Sequence, residues 1–99
     1  MELFKNTKQL QINIKTIINL RLFNSESKEN YFFYRIYDGF IPIEKEMSIS
    51  IGKFQFTLYF TDIKITSNQI EYNYLLESSF PVIIKEDIEE IINLGWQEV

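Results

Sequence analysis

Carboxylates are the only chemistry-bearing side chains present here in number. The chain has 14 Asp and Glu but no His and no Cys. Without Cys there is no thiolate nucleophile, no disulfide framework and no thiolate-ligated zinc, haem or iron–sulfur site. Without His the commonest general base and the physiological-pH switch are gone. Ser–His and Cys–His nucleophilic pairs are therefore impossible. Two carboxylates placed across a cleft could still do acid–base work on a glycoside. Asp38, Glu44 and Glu46 are the candidates closest in sequence. Nothing in their spacing fixes a geometry, and a chain this short builds few deep clefts. Gly39, Gly52 and Gly95 are isolated, so there is no Gly-rich phosphate loop. No Ca²⁺-loop pattern occurs either. The expectation is a protein without an active site, a cofactor or a metal.

What remains is surface. Glu86, Glu89 and Glu90 are spaced to share one helix face. Such a face can be simply solvated, or it can steer a basic protein partner. Tyr31, Phe32, Phe33, Tyr34, Tyr37 and Phe40 put six rings into ten residues. A strand with rings on both faces is usually covered on both. The sharper alternative sets Tyr31, Phe33, Arg35 and Tyr37 together on an exposed face, as a protein-binding patch. Arg35 there could stack on a ring or pair with an acid.

Charge supports a protein partner over a nucleic acid or a membrane. The net charge is −4. Residues 71–99 carry Lys85 against Glu71, Glu77, Glu86, Asp87, Glu89, Glu90 and Glu98, a local −6. An acidic chain repels phosphate and anionic lipid alike. Gly52–Phe60 superficially resembles an RNA-recognition signature, but Ile51 stands where a base is needed and Lys53 intrudes. The N-terminal residues lack the apolar core of a signal peptide, and no run is long enough to span a bilayer. A cytoplasmic location is expected. Seventeen Ile against two Val, eight Asn and no Ala indicate an AT-rich coding sequence, as in a low-GC bacterium, a phage or a mobile element. Ile and Val serve strands about equally, so this bias is not a structural one.

The elements that must position these residues read clearly in places. Leu10, Ile12, Ile14, Ile18, Leu20 and Leu22 are all even, with polar residues between them. This alternation is a half-buried strand, broken only at Thr16, Ile17 and Phe23. Its length predicts a bend or bulge near Thr16–Ile18. A polar loop follows at 24–30, then the aromatic strand and an Asp38-Gly39 turn. Ile41-Pro42-Ile43 would make a short edge piece. Apolar positions switch from odd (Met47, Ile49, Ile51) to even (Phe54, Phe56, Leu58, Phe60) across Gly52-Lys53. That is either a bulge within one strand, the reading preferred here, or a tight hairpin. Thr66–Gln69 would turn a second hairpin. Val82–Ile84 is open between loop and strand.

Lys85–Leu94 is the one good helix, with Ile84, Ile88, Ile91 and Ile92 on one side and acids on the other. Gly95 suits the left-handed residue after the helix, and Trp96 could pack back on Ile91. The whole predicts a single α+β domain over residues 1–99. Its mostly antiparallel, strongly curved sheet would have about five to seven strands, with the C-terminal helix packed on it. In outline this is similar to a pleckstrin-homology-type barrel, which would imply lipid or peptide binding. The expected function is a small non-enzymatic protein-binding module, an inhibitor or immunity or anti-defence type that blocks a partner sterically. The alternative is an assembly subunit pairing as a homodimer or higher oligomer through its sheet edges.

Overall fold

The structure is a computed structural model that describes residues 11–99. It consists of six strands and one helix: β1 (Asn13–Asn24), β2 (Asn30–Asp38), β3 (Ser48–Ile51), β4 (Phe54–Ile65), β5 (Gln69–Phe80), α1 (Lys85–Asn93) and β6 (Gln97–Glu98). The strands form one sheet in the order β3-β4-β5-β1-β2-β6. The α+β architecture and the largely antiparallel pairing agree with expectation. The sheet is nevertheless mixed, because β1 and β5 run parallel along their full lengths, from Asn13↔Gln69 to Asn24↔Phe80. The order leaves β3 and β6 as edges.

β1 is central, and it carries no bulge where its length suggested a bend or bulge. Its pairing to β2 and to β5 runs in unbroken register. Two long neighbours take its backbone groups on both sides, so nothing is left for a bulge to relieve. The exceptions to its alternation are explained by what each face meets. Thr16 lies on the buried face and is fully satisfied: its hydroxyl donates to Gly39 O at 2.7 Å and accepts from Ile41 N–H at 3.0 Å. Ile17 and Phe23 lie on the other face, described below.

From β2 the chain must reach β3 on the far side of the sheet. Residues 39–47 carry it there without forming a strand, so the edge piece expected at Ile41–Ile43 is absent. Ile43 is instead buried in the core and Ile41 packs against it. Pro42 and the Thr16 hydrogen bonds hold this segment as a crossing strap. At Gly52-Lys53 the preferred bulge is overturned. Ser48–Ile51 pairs antiparallel with Phe54–Thr57 as a hairpin. Gly52 at the first central position has φ +59°, the requirement of a II′ turn, which suits the twist of the flanking strands.

A bulge does exist, further along. The β4–β5 register slips between Leu58 and Phe60, leaving Tyr59 as the extra residue. It turns the apolar row Phe54, Phe56, Leu58 into Thr61, Ile63, Ile65 on the same face.

The core lies on this face, between the sheet and α1. Leu20 and Leu22 of β1, Phe33 of β2, Phe56 of β4, Leu76 of β5 and Ile91 of α1 are essentially inaccessible. At about 25 cal/mol per Å² of apolar surface, each such side chain contributes about 1.5–3 kcal/mol. The helix docks through Asp87, Ile91 and the half-buried Ile88. Ile84 and Ile92, expected to face inward, are largely exposed. The displacement has a cause in Asp87, which is drawn inside by two polar partners. Residues 81–84 form a loop, settling the ambiguity at Val82–Ile84 against a strand, although Ile83 is buried.

Candidate functional site

The two ends of α1 decide how its acidic face is presented. At the N-terminus, Asp87 accepts a hydrogen bond from Ile84 N–H at 3.0 Å and an ion pair from Lys53 Nζ at 3.0 Å. This is the side-chain-to-backbone half of a capping box, the only half available because Ile84 has no side-chain oxygen. Lys53 also lies over the Phe80 and Phe54 rings, 4.9 and 5.5 Å from their centroids. At the C-terminus, Trp96 N–H bonds Ile91 O and Gly95 N–H bonds Ile92 O, with Gly95 at φ +102°. This paired arrangement is a Schellman motif, and Trp96 is buried in the same cluster as Ile91. Arg35 of β2 donates to the orphan carbonyl of Leu94 at 3.0 Å and stacks on Tyr37 at 5.1 Å. A cation there also complements the helix dipole.

The helix thus hangs between the β3–β4 turn and β2. Glu86, Glu89 and Glu90 are exposed. Among the described residues, Lys85 sits beside them, 3.8 Å from Glu89. Glu90 leans toward the β3–β4 turn, where its carboxylate lies close to Gly52.

The β2 residues singled out in the sequence occupy the side of the sheet that α1 covers. Phe33 is 1% exposed and belongs to the core. Tyr31 and Tyr37 are half-buried around it, and Arg35 is engaged with the helix terminus. Tyr31 O–H donates to Glu29 at 3.0 Å. That bond raises the Tyr31 pKa above the ordinary phenol value, with smaller contributions from desolvation and from the charges of Glu29 and Glu98.

Phe40 is exposed but lies against Tyr72, while on the face opposite α1 the exposed rings Phe32, Tyr59 and Phe60 and the half-buried Tyr34 were not singled out as a patch. Cross-strand pairing sets Tyr34 beside Asn19, Leu75 and Phe60 in one row, and Ile36 beside Ile17 and Asn73 in the next. Phe32 pairs with Arg21, which in turn pairs with Glu77 by position and by a salt bridge. Arg21 lies over the Tyr59 ring at 5.4 Å. Phe32, Ile36, Tyr59 and Phe60 are all substantially exposed. No described helix or strand covers this outer face. A shallow open groove of about 530 Å³ runs beside Arg21, Phe23, Thr57 and Glu77. The signal was available in the alternation: once Phe33 is inside, Phe32, Tyr34 and Ile36 must be outside.

Among the described residues no three acidic side chains gather as metal ligands. Asp38 ends β2, while Glu44 and Glu46 sit exposed on the strap, and none of the three lines the groove at Arg21. No described helix is long and apolar enough to cross a membrane. No family description fits the chain, and no characterised protein or solved structure is similar to it at a significant level.

Proposed function

We propose that the chain is a non-enzymatic protein-binding module of the inhibitor kind, shielding a site on a partner protein by steric cover. The observation that carries this reading is the outer face of the sheet, which no described helix or strand covers. It holds Phe32, Tyr34, Ile36 and Phe60 in adjoining rows around Ile17 and Leu75. Contiguous exposed apolar surface on a small domain is costly unless something covers it in use. Rigid rings on paired strands are good anchors because little side-chain freedom is lost on contact.

Charges on the same face are nearly balanced. Lys15, Arg21 and Lys64 stand against Asp38, Asp62, Glu71 and Glu77. A partner with its own apolar patch and mixed rim suits this face better than a strongly basic one. The competing surface is the exposed acidic face of α1, which would take a basic partner through Glu86, Glu89 and Glu90. It lies on the other side of the sheet, so one contact cannot use both.

Capture from a host lysate separates the two. Tagged wild-type protein, a Phe32→Ser/Ile36→Ser variant and a Glu86→Lys/Glu89→Lys variant are compared, each checked for folding by circular dichroism. The proposal expects a partner that is lost with the first variant and kept with the second. Capture that survives Phe32→Ser/Ile36→Ser overturns it, and loss confined to the helix variant transfers the function to α1.

A further inference from the structure

Among the described strands, β4 has a partner along only half of its outer edge. β3 pairs with Phe54–Thr57 and stops there. Beyond it, Tyr59–Ile65 has β5 on one side and no described strand on the other. Unpaired strand edges template pairing with another chain unless they are blocked. This one has no Pro; its bulge lies at its start, and its two charged residues, Asp62 and Lys64, are of opposite sign. It also presents apolar residues on the core side, with Ile63 52% and Ile65 73% exposed.

We infer that this edge is a self-recognition surface, pairing β4 antiparallel with β4 of a second copy about a twofold axis at Ile63. Register fixes where the axis falls. In a twofold antiparallel pair, residues i and j that face each other must share a sheet face, so the axis passes through one residue. Centred on Asp62, the pair would put Asp62 against its own copy. Centred on Lys64, it would oppose two ammonium groups. Centred on Ile63, it sets Asp62 opposite the partner's Lys64 and Lys64 opposite the partner's Asp62. Two ion pairs then form on the outer face, since opposite charges directly across a ladder attract and like charges repel.

On the other face the same register stacks Ile63 on the partner's Ile63, and Ile65 on the partner's Thr61. The two exposed isoleucines on the core side of this edge are thereby covered. The Tyr59 bulge ends the available ladder just before β3 begins, so β3 and the incoming strand need not overlap. The resulting interface is isologous, and two six-stranded sheets become one. This inference does not rest on the partner-binding role of the outer face and can hold or fail without it.

Charge exchange tests it. Sedimentation equilibrium of the full chain at 5–500 µM should show a monomer–dimer equilibrium. Asp62→Lys or Lys64→Asp alone should raise the dissociation constant by roughly tenfold or more, because two opposed pairs turn repulsive at once. The double exchange Asp62→Lys/Lys64→Asp should restore association. The absence of Cys permits a second measurement. Ile63→Cys would sit opposite its own copy at a Cα separation of roughly 4.5–5.5 Å, within disulfide range. It should oxidise to a covalent dimer, while Ile65→Cys, facing Thr61, should do so far less. A strict monomer at 500 µM overturns the inference. So does an association that ignores both single exchanges, or equal crosslinking at 63 and 65.

Discussion

Removing the Asp87 carboxylate should destabilise the protein more than any other single surface-helix change. One oxygen, Oδ2, serves both the Ile84 N–H and the Lys53 ammonium, each at 3.0 Å. Asp87 is 7% exposed, so water replaces these bonds poorly when the carboxylate goes. A hydrogen bond to a charged group is worth about 1.5–3 kcal/mol. An anion in the first helical turn adds about 0.3–1 kcal/mol through the dipole, an effect that partly overlaps with the first.

Asp87→Ala should therefore cost about 2–3 kcal/mol, a fall in Tm of about 10–20 °C for a domain of this size. Asp87→Asn keeps an oxygen for Ile84 N–H and should cost about 1 kcal/mol. Lys53→Met should cost still less, about 0.5–1 kcal/mol. The ammonium is partly solvated, and the methionine retains contact with Phe54 and Phe80. Urea denaturation followed by tryptophan fluorescence reads all three, since Trp96 lies buried just past the same helix. A loss below about 0.5 kcal/mol in Asp87→Ala would refute the capping argument. Lys53→Met matching Asp87→Ala would show that the ion pair, not the cap, carries the energy.

Other expectations follow from single contacts. Thr16→Val keeps the shape but strands Ile41 N–H and Gly39 O, so it should cost about 1–3 kcal/mol in urea denaturation and loosen the strap to proteolysis. Gly95→Ala should cost about 1 kcal/mol or more through its positive φ, and Arg35→Ala added to it should remove only the contact of the new Cβ with the guanidinium, 2.8 Å from Arg35 Nη1, leaving the backbone strain. Tyr31 should ionise above the ordinary phenol value in an ultraviolet pH titration, and Glu29→Gln should bring it down. A phenol pKa raised by folding means its contribution is present at neutral pH and disappears as pH climbs through the folded value.

The strands of the core were legible because alternation encodes them directly. Unbroken alternation was not needed: Ile18, Leu20 and Leu22 sufficed to place β1, and Gly95-Trp96 sufficed to end the helix. Partners across the sheet were not legible. The parallel pairing of β1 with β5 depends on the strap, whose half-buried Ile41 and buried Ile43 look in sequence like a weak strand. The Tyr59 bulge was hidden because Phe60, on the outer face, continues the even apolar series by type. The candidate contact residues suffered from the same ambiguity. Tyr31, Phe33 and Tyr37 and their neighbours Phe32, Tyr34 and Ile36 are equally apolar, so composition alone does not say which row the helix covers. Arg35 shares the face of Phe33 by alternation, and the carbonyl that satisfies its guanidinium is visible only once Leu94 is in place.

The parallel pairing of β1 with β5 also bears on how the protein is made. Each contact in that ladder joins residues 56 apart, from Asn13 with Gln69 to Asn24 with Phe80. The centre of the sheet thus has a high contact order, and the loop-closure entropy falls due before the core can reward it. Refolding should be slow for a chain of this size. During synthesis β1 and β2 emerge from the ribosome as a hairpin whose Leu20, Leu22 and Phe33 have no cover, and they wait in that state until the chain has been made as far as Phe80 and beyond.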